Sequence, residues 1–148
     1  KLVAQNRRAR HNYIIEETLE AGVVLTGSEV KSLRAGRVSL NEAWAGSQRG
    51  ELYLMNCHVP VYKEAGNLNH LPTRPRKLLV HRRELNRLTD AVRREGRTLV
   101  PLRIYFNERG VAKVELAVAH GKRKSDKRES AKARDWQRQR ARLMREKG

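Results

Sequence analysis

The sequence predicts a mainly β fold: a small antiparallel barrel with two or three short helices, followed by a basic C-terminal tail. Three observations predict it. About six short apolar or alternating runs fill residues 11–119, separated by turns rich in glycine, proline and asparagine. Within that body, residues 29–35 and 78–92 repeat their apolar side chains at helical spacing. The last 28 residues, 121–148, hold 12 basic and 4 acidic side chains and no Val, Ile or Phe.

Each element has its own signal. Residues 11–17 contain Tyr13, Ile14 and Ile15 and read as a strand, which residues 19–25 continue. Within the second run Glu20-Ala21-Gly22 offers a bulge or bend, because the glycine relaxes the backbone. Thr26 or Ser28 is the candidate N-cap of a helix over 29–35, with Val30 and Leu33 inward and Gly36 as its stop. Residues 43–45 and 51–59 flank Ser47-Gln48-Arg49-Gly50 as a hairpin. Two prolines, a glycine and two asparagines make residues 63–76 a loop. Leu85, Leu88, Ala91 and Val92 predict a helix over 78–92 that Gly96 stops. Residues 97–106 and 111–119 are two strands joined by Asn107-Glu108-Arg109-Gly110. The second alternates cleanly, with Ala112, Val114, Leu116 and Val118 on one face. This inventory fits the small antiparallel barrels, of which the OB-fold is the obvious member. The expected division is a barrel over residues 1–120 and a tail over 121–148.

Charge narrows the function. The 148 residues carry 33 Lys and Arg against 16 Asp and Glu, a net +17. Residues 1–120 account for +9 and residues 121–148 for +8. A chain this basic meets an acidic partner, and nucleic acid is the commonest. No apolar run approaches the roughly 18 residues of a membrane span. No apolar stretch follows the N-terminal basic residues, so no signal peptide is expected. The single cysteine, Cys57, excludes an intramolecular disulfide and fits a reducing, cytoplasmic setting.

Chemistry is sparse. There is no phosphate-cradling Gly-Lys-Ser/Thr loop, and the five histidines show no metal spacing. Cys57 and His58, adjacent in a strand, point to opposite faces and make a poor catalytic pair. A nuclease would need an acidic metal cluster that the sequence lacks. The expectation is a non-enzyme without metal or cofactor. The tail cannot bury enough apolar area to order itself, so alone it should be disordered. Its composition nonetheless favours helix, with Trp136, Leu143 and Met144 on one narrow stripe. It reads as a solvated tail or as one that folds on a polyanion.

Three clusters carry the binding chemistry. Asn6, Arg7, Arg8, Arg10 and His11 suit phosphate, base and sugar contacts, and read equally as a mobile basic arm. Glu20-Ala21-Gly22 precedes Ser28-Glu29-Val30-Lys31-Ser32-Leu33-Arg34, where Lys31 and Arg34 share one side of a helix and can grip phosphate. Arg74-Pro75-Arg76-Lys77-Leu78-Leu79 is the third. The strings N-R-R-A-R-H-x-Y, E-A-G-x-x-L-x-G-S-E-V-K-S-L-R-A-G, R-x-R-K-L-L and G-K-x-x-x-D-K-R, in that order, resemble the SsrA-binding protein (SmpB) family. The resemblance runs from Asn6 into the tail.

That resemblance implies an OB-fold-like barrel that binds the tRNA-like domain of transfer-messenger RNA and delivers it to stalled ribosomes. Elongation factor Tu and alanyl-tRNA synthetase are then indirect partners. It implies that Asn6, Glu20 and Leu79 hold the RNA, with Arg7, Arg8, Arg10, His11, Lys31, Arg34, Arg76 and Lys77 beside them. A carboxylate such as Glu20 can accept from guanine N1–H and N2–H, and so reads a splayed base. Leu79 can pack on a base face, and Asn6 can donate and accept at once. Read without the resemblance, Glu20 is an isolated acid at a strand bend and Leu79 an ordinary core residue. For the tail, the resemblance implies a helix lying in the empty messenger channel near the decoding centre, against small-subunit RNA. Its contacts would come from Lys122, Arg123, Lys124, Asp126, Lys127, Arg128, Arg134, Trp136 and Arg138. Ser125 departs from the His or Tyr usual before Asp-Lys-Arg and cannot stack, so Trp136 or hydrogen bonding must replace it. The other reading is a general basic RNA-binding or ribosome-associated protein with no dedicated RNA.

Overall fold

The computed structural model describes residues 1–122 and Arg138. Seven strands run β1 (Leu2–Gln5), β2 (Tyr13–Val23), β3 (Trp44–Gln48), β4 (Glu51–Met55), β5 (Arg76–Leu79), β6 (Thr98–Phe106) and β7 (Ala112–Gly121). Three α-helices, α1 (Ala9–Asn12), α2 (Gly27–Arg34) and α3 (Arg82–Glu95), and a 3₁₀ turn at Lys63–Leu68 lie between them. Antiparallel pairings run β6–β3–β4–β5–β2–β7 and return from β7 to β6, closing a ring of six strands. Closure removes the open edges that a flat sheet would leave. β1 adds to the second half of β6, with Ala4 opposite Ile104, while Leu99 in the first half faces Ala45 of β3.

The ring interior is the core. Leu52, Leu54, Leu78, Leu99, Ile104, Val114, Leu116 and Val118 fill it, and Leu33 of α2 with Leu85, Leu88 and Ala91 of α3 pack against them. The alternation read in 111–119 holds: Ala112, Val114, Leu116 and Val118 belong to this core. A second, smaller cluster lies on the other side of the sheet. Ala9 of α1 sits on Val100, Leu102, Ala117 and Ala119, flanked by Tyr13 and Ile15. Small side chains there let a four-residue helix lie close on the outer face.

Several boundaries differ from expectation. The strand expected at residue 11 begins at Tyr13, because Ala9 is drawn onto the sheet and residues 9–12 coil over it. β1 was not expected; its four residues gain their order by pairing with β6, a non-local effect. The helix expected over 78–92 divides into β5 and α3, because Leu78 and Leu79 alternate buried and exposed as a strand does. The stop at Gly96 stands, in the left-handed region at φ +67°. β4 ends at Met55 rather than 59, since Asn56 turns the chain at φ +56°. Arg76 leaves the expected loop and opens β5. The bulge expected around Gly22 lies instead between Ile15 and Glu17, against β7. Gly22 keeps regular register and makes room for a neighbour: a Cβ there would stand 3.3 Å from the Leu79 Cβ.

Candidate nucleic-acid interface

One outer face brings the expected Glu20 and Leu79 together. Backbone register aligns Tyr105 of β6, Lys113 of β7, Gly22 of β2 and Leu79 of β5 in one row. The next row holds Arg103, Glu115 and Glu20. Cross-strand partners point to the same side, so these side chains share a surface. Leu79 is 53% exposed, resting on Gly22 rather than entering the core, so its placement argues against an ordinary core role.

Glu20 is exposed and tethered. The Tyr105 hydroxyl donates to its Oε2, leaving Oε1 to accept from another donor. Burial first, and then this bond to a carboxylate, push the Tyr105 hydroxyl up to about 12, so it stays a donor at neutral pH. The Arg103 guanidinium lies 5.4 Å from the Tyr105 ring centre and donates to Glu115 at 2.9 Å. The patch thus combines a fixed carboxylate, an aromatic hydroxyl, cations and an exposed leucine. That set suits the edge and face of an unstacked base.

The arginine arm adjoins it. Arg7, Arg8, Arg10 and His11 are exposed around α1. Arg7 and Arg10 line a groove of about 310 Å³ with Asn6, Arg103 and Glu115, which links the arm to the Glu20 rows. Asn6 is half-buried, and its amide nitrogen lies 3.4 Å from the carbonyls of Leu40 and Pro101. The side chain expected to meet RNA therefore also fastens the turn between β1 and α1. Lys31 and Arg34 are exposed on α2, over the rings of Tyr62 at 5.4 Å and Phe106 at 5.8 Å. Lys77 lies beside Tyr53 and 3.7 Å from Glu51.

Arg76 departs from the expected set. Its side chain is fully buried, at 0% exposure, and pairs with Glu29. Its remaining donors reach the carbonyls of Cys57 at 2.8 Å and Pro72 at 3.1 Å. A guanidinium enclosed in this way has no donor to offer an RNA phosphate. What sequence reading missed here is the role of Glu29, also at 0% exposure, which binds both Arg74 and Arg76. It accepts the Thr26 N–H at 2.8 Å as well, which settles Thr26 as the N-cap of α2. Burial pushes the Glu29 carboxyl up, but the bonds from Arg74, Thr26 and Arg76 outweigh it and hold the group below its ordinary value. Tyr105 and Arg103 were missed too. The alternation of residues 103–105 was the available signal, but only cross-strand register carries them to Glu20.

In the tail, Lys122 closes onto α1 through its N–H to the Asn12 carbonyl at 3.0 Å, and Arg138 is helical and exposed. Arg123, Lys124, Asp126, Lys127, Arg128, Arg134 and Trp136 lie outside the described residues. Cys57 is buried while His58 is exposed, and burial pushes the thiol up to about 11. Among the described residues no His, Cys, Asp and Glu group is arranged to hold a metal. Nor is any of their helices long and apolar enough to cross a membrane.

A family model described as SmpB protein matches residues 3–146. The SsrA-binding protein of Nitrobacter hamburgensis is 57% identical over 148 residues, covering 100% of this chain and 94% of its own. That of Azorhizobium caulinodans is also 57% identical, over 100% of this chain and 92% of its own. A solved structure described as "tmRNA-SmpB: a journey to the center of the bacterial ribosome" superposes with a TM-score of 0.69 at 52% identity. The match covers 86% of this chain and 93% of that one. The chain belongs to the SmpB family of SsrA-binding proteins.

Proposed function

We propose that this chain binds the tRNA-like domain of transfer-messenger RNA and delivers it to stalled ribosomes for rescue by trans-translation. The observation that carries this reading is Glu20, an exposed carboxylate fastened by Tyr105 on the outer face of a chain with net charge +17. An acid in that place weakens general attraction to RNA and strengthens recognition of one base. The arginine arm beside it supplies phosphate contacts, and Leu79 a base face. The barrel over residues 1–120 is the RNA-binding unit; residues 121–148 enter the empty messenger channel near the decoding centre. The protein is a non-enzymatic, cytoplasmic adaptor. Elongation factor Tu and alanyl-tRNA synthetase act on the RNA it carries and are its indirect partners.

Competition of transfer-messenger RNA against bulk tRNA at several salt concentrations tests this. Non-specific binding is mostly counterion release and fades as salt rises. The expected result is a preference for transfer-messenger RNA that survives at physiological salt, and equal affinity there would overturn the reading. Removal of residues 121–148 should spare RNA binding and abolish tagging on stalled ribosomes.

A further inference from the structure

A second aromatic site stands apart from Glu20. Trp44 opens β3 and is 46% exposed, a large apolar ring left in solvent. Its position is built rather than accidental. A Cβ on Gly46 would stand 2.5 Å from the Trp44 Cζ3, so the ring lies against the backbone of that glycine, where only hydrogen leaves room. Trp44 also lines a groove of about 260 Å³ with Asn12, Tyr13, Asn41 and Glu42. That volume is just below the range of about 300–1,000 Å³ for ordinary ligand pockets. Asn41 continues into a neighbouring groove of about 470 Å³ lined by Arg7 and Arg8.

We propose that the Trp44 groove takes a single unstacked RNA base. The ring supplies a stacking face, as aromatic platforms do in single-strand binders. The amides of Asn12 and Asn41 each carry a donor and an acceptor for a base edge, and Glu42 can accept from an exocyclic amine. Arg7 and Arg8 in the adjoining groove meet the flanking phosphates. Charge complementarity decides the occupant: a platform beside paired arginines fits a nucleotide, whose base is apolar on its faces and whose phosphate is anionic. The inference rests on the reading of the chain as an RNA binder, and it is independent of which RNA Glu20 selects.

The chain has two tryptophans, so the full-length Trp136→Phe variant makes Trp44 the sole indole reporter. Two probes separate stacking from charge: a short single-stranded oligo(A), and a blunt RNA duplex with no unpaired base. Oligo(A) should quench Trp44 and the duplex should not. Trp44→Leu should weaken oligo(A) about tenfold, or ~1.4 kcal/mol, with duplex affinity and salt slope unchanged. Gly46→Ala keeps the indole but pushes it off its seat, and should weaken oligo(A) in the same direction, which covers the case of a poorly folded Trp44→Leu. Unchanged oligo(A) affinity in both variants, equal quenching by the duplex, or a ring already shielded from acrylamide without RNA overturns the inference alone. Failure of the unsubstituted chain to bind either RNA overturns the RNA-binding reading, and this inference with it.

Discussion

Glu20 and Glu29 are nine residues apart and chemically identical, yet the fold assigns them opposite work. Glu29 is sealed inside, with both carboxylate oxygens taken by Arg74 and Arg76 and one also by the Thr26 N–H. Glu20 stands outside, held by one tyrosine and open on its other oxygen. The arginines divide in the same way: Arg76 is enclosed, whereas Arg7, Arg8 and Arg10 face solvent. Charge in this chain therefore has two meanings, and burial tells them apart. A buried pair whose bonds are all internal fixes the α2–β5 junction; an exposed group with unused bonding capacity is available to a ligand.

The largest effect should come from breaking the buried side of that comparison. Glu29→Ala leaves Arg76 charged, enclosed and without its carboxylate, and should cost about 3–5 kcal/mol of stability in urea unfolding. A loss below about 1 kcal/mol would mean that water reaches the pair. Acid should act through the same group. The folded carboxyl titrates below its ordinary value of 4.5, so its stabilisation is complete above that pH and disappears as pH falls through the lower, folded value. Glu29→Gln should flatten that acid limb. On the exposed side, Glu20→Ala should leave stability within about 0.5 kcal/mol. It should nonetheless weaken transfer-messenger RNA by about 1.5–3 kcal/mol, the scale of a hydrogen bond to a charged group, although it raises the net charge. Tighter binding would show that the acid merely dilutes the field. Arg8→Ala should lower affinity for all RNAs alike and reduce the salt slope by about 1, as loss of one phosphate contact does.

The inner barrel was legible because its signals are local. Ala112, Val114, Leu116 and Val118 alternate, Leu85, Leu88 and Ala91 repeat at helical spacing, and Gly96 ends their helix; all of them lie where those patterns put them. What escaped depends on partners distant in sequence. Four residues become β1 only because β6 offers an edge, and Leu78 and Leu79 are strand because β2 and β4 flank them. The site divides in the same way. Glu20 and Leu79 came from a family resemblance, and the fold sets them on one face through register. Arg76 was misassigned because a basic string looks alike whether it is sealed or exposed; only the position of Glu29, 47 residues upstream, decides it.

Tyr105 gives the finest test, because it is the hinge between the exposed acid and the sheet. Burial is the largest cause that raises its titration to about 12; the hydrogen bond it donates to Glu20 and the Glu20 charge follow, and the Glu115 charge acts in the same direction. Ionising the phenol would set two negative charges side by side, which is why the carboxylate resists it. Glu20→Ala removes the hydrogen bond and the charge of Glu20 and leaves burial in place. Its phenolate absorbance should therefore appear at lower pH than in the unsubstituted chain, yet still above the ordinary value of 10. Tyr105→Phe should weaken transfer-messenger RNA less than Glu20→Ala does, since it loosens the acid without removing it. An unshifted Tyr105 titration in Glu20→Ala would mean that the two side chains are not bonded in solution, and that Glu20 meets RNA as a free side chain rather than as a fixed one.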